Sequence, residues 1–287
     1  MITEIETVTK VEALRDQVRQ WRAAGESVAL VPTMGNLHAG HLELARLAGN
    51  QAHRSIVSIF VNPMQFGAGE DFNSYPKTFE ADRQRLASIG VDLLFAPAVD
   101  EIYPRGEQGQ TRVEVPGLSD ILCGASRPGH FVGVATVVCK LLNMAQPDLA
   151  LFGEKDYQQL MVIRRMVEDL AMPIKILGLP TVRGPDGLAL SSRNGYLTQV
   201  EQALAPRLYQ TLLDTRQAIQ AGERDYPALE QKGLKQLGSA GFDPDYFALR
   251  RASDLALPAM QDGELVILAA ARLGRARLID NLRVSMD

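Results

Sequence analysis

The chain has 287 residues, 46% of them hydrophobic, which is enough for one large domain or two ordinary ones. Its 30 Lys and Arg against 34 Asp and Glu give a formal net charge of −4, with no basic block. That balance argues against sequence-independent binding to nucleic acid or an anionic membrane, because both need a positive field.

No apolar run approaches the ~20 residues of a membrane helix. The N-terminal stretch lacks a signal-peptide pattern, and two cysteines make no disulfide framework. The expectation is a cytoplasmic protein with reduced thiols that acts on small molecules. In chain order, a short apolar run at 28–31 reads as a buried strand, followed by a helix opening near His38. A second run at 55–61 precedes a helix whose stripe is Phe79, Leu86 and Ile89, with Pro76 suited to its start and Gly90 to its stop. A third run, 91–95, leads to the stripe Val134, Val137, Val138, Leu141, Leu142 and Ala145, at the spacing of one helical face. Runs at 148–152 and 173–179 flank another stripe, Leu160, Ile163, Val167 and Leu170. Strands buried on both faces and alternating with amphipathic helices imply a Rossmann-like, doubly wound parallel sheet, an α/β fold.

The texture changes near residue 180. The turn Gly184-Pro185-Asp186-Gly187 is followed by SSRNGYL and two long polar helices, 199–221 and 226–239. Runs at 246–250, 264–271 and 276–281 then read as a small antiparallel sheet. The expected organisation is a nucleotide- and substrate-binding domain over 1–179 and a smaller C-terminal α+β lid over 180–287.

Ligands on such sheets collect beyond the carboxyl ends of the strands, and four polar clusters fall there or at the domain junction. After the first strand comes Pro32-Thr33-Met34-Gly35, then His38-Ala39-Gly40-His41 at a helix N-terminus, where free N–H groups favour phosphate. The Gly35-to-Gly40 spacing is similar to a P-loop, but His41 replaces the Lys and no Ser or Thr follows. Two of the chain's four histidines share this turn. They can donate hydrogen bonds to phosphate oxygens and follow charge building on a leaving group; zinc is disfavoured because no acidic partner lies at ligand spacing. Asn62 and Gln65 follow the second strand and can each donate and accept, which suits a hydroxy acid. Lys155 follows the fourth strand, with Asp156 placed to cap the next helix. Ser191, Ser192 and Arg193 form a loop able to close on polyphosphate.

Together, HxGH, a later Lys and a downstream Ser-Ser-Arg resemble the HIGH and KMSKS signatures of the nucleotidylyltransferase superfamily. The strings VPTMGNLHAGH, SIFVNPMQF, ASRPGHF, FGEKDYQQL and LALSSRNGYL, in that order, are similar to one family within it, pantoate–β-alanine ligase, over nearly the whole chain. The resemblance implies ATP-dependent condensation of pantoate with β-alanine through an enzyme-bound pantoyl-adenylate, releasing AMP and pyrophosphate, with Mg²⁺ and a homodimeric assembly. Carried over, Met34, Gly35, Asn36, Leu37, His38, Ala39, Gly40 and His41 line the ATP. His41 is then the catalytic residue, helped by His38, Lys155 and Arg193. Gly153, Glu154, Lys155 and Asp156 would hold ribose and phosphate, Val182 adenine, and Leu190, Ser191, Ser192 and Arg193 the phosphates. Gln65 and Gln159 would clamp pantoate, Gln65 also meeting β-alanine, with Asn62 and His130 in the same substrate pocket. The metal ligands stay open. One departure is Val132, where many relatives carry Arg. Two other functions fit the residues less well: an adenylyltransferase for a phosphate acceptor, which needs more basic residues, and a non-catalytic nucleotide-binding module, which needs no second pocket.

Overall fold

The structure, a computed structural model, describes residues 4–67, 69–76 and 78–286. In chain order the elements begin β1 (Glu6–Val8), α1 (Val11–Ala23), β2 (Val28–Thr33), α2 (Ala39–Gln51), β3 (Arg54–Ile59), α3 (Phe79–Ser88) and β4 (Leu93–Phe95). Two single-turn helices follow, α4 (Val99–Ile102) and α5 (Cys123–Ser126). Then come α6 (His130–Ala145), β5 (Leu149–Gly153), α7 (Tyr157–Asp169) and β6 (Lys175–Leu179). The remainder is α8 (Gln199–Leu204), α9 (Arg207–Gln220), α10 (Tyr226–Ser239), β7 (Asp243–Arg251), β8 (Glu264–Leu273) and β9 (Ala276–Ser285).

Among the described residues, six strands make a parallel sheet in the order β1-β4-β3-β2-β5-β6. Alternate side chains of its central strands enter opposite cores. Val28, Leu30 and Ile56 pack with Leu14, Val18 and Trp21 of α1 and with α6 and α7. Ala29, Val31 and Val57 pack with Leu44, Ala45 and Ala48 of α2 and Leu86 of α3. The sheet is therefore covered on both faces, which is why its strands read as unbroken apolar runs.

The second sheet is antiparallel, β7-β8-β9. Strand β8 also divides its side chains. Leu265, Ile267 and Ala269 join the core under α9 and α10, while Val266 and Leu268 join the α6–α7 core of the first sheet. The small sheet is thus sealed onto the large one by its reverse face.

Several expectations need correction. Strand β1 went unread because three residues carry too little pattern, and β6 is half-buried rather than doubly covered because it is an edge strand. Helix α6 is buried nearly all round, not along one stripe, because it is wedged between the sheet, α1 and α7. The polar helix expected over 199–221 is two, α8 and α9, separated at Pro206, whose missing N–H cannot continue the ladder. Pro76 lies ahead of α3, which is preceded by Thr78. Cys123 belongs to a helical turn rather than a loop, and both cysteines are free thiols.

Candidate active site

The chain leaves β2 toward β3 and β4 on one side and reaches β5 and β6 on the other, so strand order reverses between β2 and β5. Loops diverge at such a switch point and leave a crevice at the carboxyl ends. The His38–His41 turn follows β2 and Lys155 follows β5, so both flank that crevice. A cleft of about 910 Å³ opens there.

His38 is the N-cap of α2, its Nδ1 accepting from the Gly40 N–H at 3.2 Å. His41 returns the bond, its Nδ1 accepting from the His38 N–H at 3.3 Å, and the two rings lie 4.0 Å apart. The pair is therefore a capping box built from imidazoles instead of Ser and Glu. Burial and the nearby Lys155 ammonium hold His38 down to about 4; burial and the adjacent His38 ring hold His41 down to about 3. Both rings are neutral at pH 7. With each Nδ1 accepting, the proton of each ring is assigned to Nε2, leaving two donors for a ligand.

The turn ahead of these histidines is fixed from outside. Asp82 of α3, fully buried, accepts from the Asn36 N–H at 2.8 Å, the Leu37 N–H at 2.9 Å and the Thr78 hydroxyl at 2.9 Å. Arg85 of the same helix donates to the Leu37 carbonyl. Asp82 was not singled out from the sequence. It lies 46 residues from Asn36, and a lone acidic residue on a polar helix carries no local signal.

At the end of β3 the amides divide their work. Asn62 is 1% exposed, and its Nδ2 donates to Gln65 Oε1 and to the Gly133 carbonyl. Its Oδ1 accepts from Tyr103 Oη at 2.7 Å and from the Met64 N–H. Asn62 lines the cleft, but the hydrogen bonds of its amide go to the protein and orient Gln65. Gly133 permits the close approach, since a Cβ there would lie 2.2 Å from the Met64 carbonyl oxygen. Gln65 itself lines the cleft, its Nε2 lying 3.0 Å from Met34 Sδ.

His130 also lines the cleft, but both ring nitrogens have partners: Nδ1 donates to the Gln65 carbonyl at 2.8 Å, and Nε2 meets Arg127 Nη1 at 3.0 Å. Burial and the Arg127 charge hold it neutral, down to about 4. Arg127 in turn grips Glu70 with two bonds of 2.6 Å. A relay Glu70–Arg127–His130 thus pins the backbone of Gln65, which sequence reasoning missed. Gln159 lines the same cleft without a side-chain partner among the described residues. Its neighbour Gln158 is buried and tied to the backbone at Leu118, Ile121 and Cys123.

Lys155 and Asp156 lie in a 3₁₀ turn after β5, 3.5 Å apart across Nζ and Oδ1. Asp156 precedes α7 but makes no capping bond with its side chain, contrary to expectation. The turn is held by the second sheet instead. Asn281 of β9 donates to the Glu154 and Lys155 carbonyls, both at 2.8 Å. Its neighbour Asp280 clamps Arg183 at 2.6 and 2.9 Å, and that guanidinium stacks 3.6 Å over the Tyr209 ring.

Val182, Leu190, Ser191, Ser192 and Arg193 line the cleft beside Met34, Gly40 and Gly153. Ser192 Oγ donates to the Asn36 carbonyl at 3.2 Å, joining the two loops. Five expected ATP contacts do not line it. Gly35, Asn36 and Leu37 face Asp82 or the core, and Ala39 is exposed on α2. Glu154 lines a separate cavity of about 440 Å³ behind α7. Val132 does not line the cleft either.

Fold and site together define a Rossmann-like α/β protein with a polar cleft at the switch point, walled by paired imidazoles, amides and cations. The Pantoate-beta-alanine ligase family profile matches residues 6–283. Pantothenate synthetases from Thioalkalivibrio sulfidiphilus and Pseudomonas aeruginosa are 58% and 57% identical over 98% of this chain and 99% of theirs. The crystal structure of pantothenate synthetase from Thermus thermophilus is similar with a TM-score of 0.90 and 46% identity, covering 97% of this chain and 99% of that one. Pantoate-β-alanine ligase from Francisella tularensis, complexed with β-γ ATP and β-alanine, gives a TM-score of 0.80 and 35% identity over 97% of both chains. This chain belongs to the pantoate–β-alanine ligase family.

Proposed function

We propose that this chain joins pantoate to β-alanine through a pantoyl-adenylate, consuming ATP and releasing AMP and pyrophosphate. The observation that carries the reading is one cleft holding two neutral imidazole donors, Lys155 and Arg193 for polyphosphate, and the uncharged pair Gln65 and Gln159 for a hydroxy acid. A pantoate carboxylate oxygen attacks the α-phosphorus in line, and the bond to the bridging oxygen breaks. The protein supplies no nucleophile; it positions the reactants and spreads the charge on the departing pyrophosphate. His41 and His38 donate from Nε2, while Lys155 and Arg193 supply charge. The β-alanine amine then attacks the acyl carbonyl, forming C–N, breaking C–O to AMP and losing a proton. Gln65 and Gln159 hold pantoate, with Gln65 placed to meet the amine substrate as well.

Among the described residues no group of three His, Cys, Asp or Glu could hold a metal. Mg²⁺ is accordingly read as part of the substrate, entering on the phosphate oxygens of ATP. Residues 1–179 are read as the ATP- and pantoate-binding domain and 180–287 as the lid that keeps water from the mixed anhydride. Family likeness alone supports a cytoplasmic homodimer. No described helix is long and apolar enough to cross a membrane.

Labelled pyrophosphate tests the chemistry. It should exchange into ATP when pantoate is present and β-alanine absent, and exchange should stop without pantoate. Pantoate-dependent ADP formation with no exchange would overturn the adenylate in favour of an acyl phosphate.

A further inference from the structure

Strands β8 and β9 are joined by the two-residue turn Gly274-Arg275, with Gly274 at a φ of 55°. That positive φ at the first central position suits a two-residue hairpin turn. The tip is wedged against α8: a Cβ on Gly274 would lie 1.9 Å from the Glu201 carboxylate, which itself accepts from the Thr198 N–H. Helix α8 follows directly on the Ser192–Tyr196 turn, so hairpin tip and Ser-Ser-Arg loop are packed through one short helix.

This hairpin lays three arginines along the cleft: Arg272, Arg275 and Arg277. Arg277 has partners, donating to Asp245 at 2.6 Å and Ser126 at 3.2 Å. Arg272 and Arg275 are exposed and make no hydrogen bond or ion pair with any described residue. Arg272 even faces Arg277 in register, a like-charge pair; Asp243 is in register on its other side but forms no ion pair with it. Like charges opposite one another on a sheet are unfavourable unless something neutralises them.

In a chain of net charge −4, the described cleft lining carries six cationic side chains and three carboxylates. Glu70 pairs with Arg127, Asp156 with Lys155, Asp280 with Arg183 and Arg277 with Asp245, which leaves Arg272 and Arg275 as the lining cations without a partner among the described residues. We propose that Arg272 and Arg275 form a second cationic wall of the cleft that receives the terminal phosphates of the nucleotide and the pyrophosphate derived from them. The inference rests on the adenylate reading above. A polyphosphate is favoured over the amine substrate because β-alanine is a zwitterion, whose ammonium such a wall repels, whereas several anionic oxygens need several cations.

The test compares the full chain with Arg272→Gln, Arg275→Gln, their combination and the Arg→Lys versions. Calorimetric probes are inorganic pyrophosphate, adenosine and β-alanine. Each Gln variant should bind pyrophosphate roughly five- to tenfold more weakly and with a shallower salt dependence, Lys should restore most of the loss, and adenosine affinity should not move. Melting temperatures should not fall below the parent's, since neither side chain has a partner to lose among the described residues and Arg272→Gln relieves a like-charge pair. Unchanged pyrophosphate affinity, equal weakening toward adenosine, or a loss confined to β-alanine would each overturn the proposal. Failure of the underlying reading is visible separately, as absence of pantoate-dependent exchange in the parent chain.

Discussion

Two loops line the cleft beside α2, and they are held in different ways. The turn from Met34 to His41 is wired by a buried carboxylate, a reciprocal imidazole cap and a guanidinium on the Leu37 carbonyl. The Leu190–Asn194 loop is tied by bonds that include Leu190 to Val182, Asn194 to Ala189 and, across the cleft, Ser192 to Asn36, with Arg193 partnered as well. It also buries Asn194 Oδ1 with no partner, a cost of about 1–3 kcal/mol for an orphaned group. The first loop is fixed by charged groups of α3; the second carries a buried acceptor left over. A tightly held first loop suits a reaction that needs fixed donors at the breaking bond.

The sharpest way to erase the difference is to cut the outside support of the first loop. Asp82→Ala orphans the Asn36 and Leu37 N–H groups, at about 1–3 kcal/mol each. Stability to urea should fall by roughly that sum, and exchange activity with it; an unshifted midpoint would show that Asp82 does not hold the turn. His41→Ala should remove about 2.7–4 kcal/mol of transition-state stabilisation, on the scale of one lost oxyanion donor, read as exchange rate at saturating substrates. Because His41 also closes the cap, it should in addition lose about 0.5–2 kcal/mol of stability. Turnover near the parent's would remove His41 from the chemistry.

Acid probes the same rigidity. His38, His41 and His130 hold folded values of about 4, 3 and 4, below their ordinary 6.5, chiefly through burial. The unfolded chain therefore binds more protons between those limits. Stability present above pH 6.5 should be lost as pH falls toward 4, with about three protons taken up on unfolding at pH 5. The slope of unfolding free energy against pH measures that uptake, and a flat slope would mean these rings titrate normally in the fold.

The smallest effect belongs to the Leu190–Asn194 loop. Ser192→Ala deletes one neutral bond, about 0.5–1.5 kcal/mol, and should raise the KM for ATP while leaving the urea midpoint nearly in place. A stability loss matching that of Asp82→Ala would show the two loops to be equally rigid.

Much of this was legible in the chain. Apolar runs and stripes located five of the six parallel strands and the helices between them, because burial on both faces imposes a local pattern. Strand-end position then brought His38, His41, Gln65, Lys155 and Gln159 to one edge, since side chains beyond parallel strand ends must share the crevice.

What the sequence could not decide was which polar groups face the ligand and which face the protein. Asn62 and Gln65 are three residues apart with the same functional group and both line the cleft, yet the first is buried with its amide bonded to Tyr103 and Gly133 and the second is half-buried beside Met34. Gln158 and Gln159 are adjacent, and among the described residues only the second is without a side-chain partner. Asp82 and Asn281 act across 46 and 126 residues of chain. Local periodicity reports burial along one element, whereas the partner of a donor or acceptor is set by whatever distant element packs against it, and only the assembled tertiary structure specifies that.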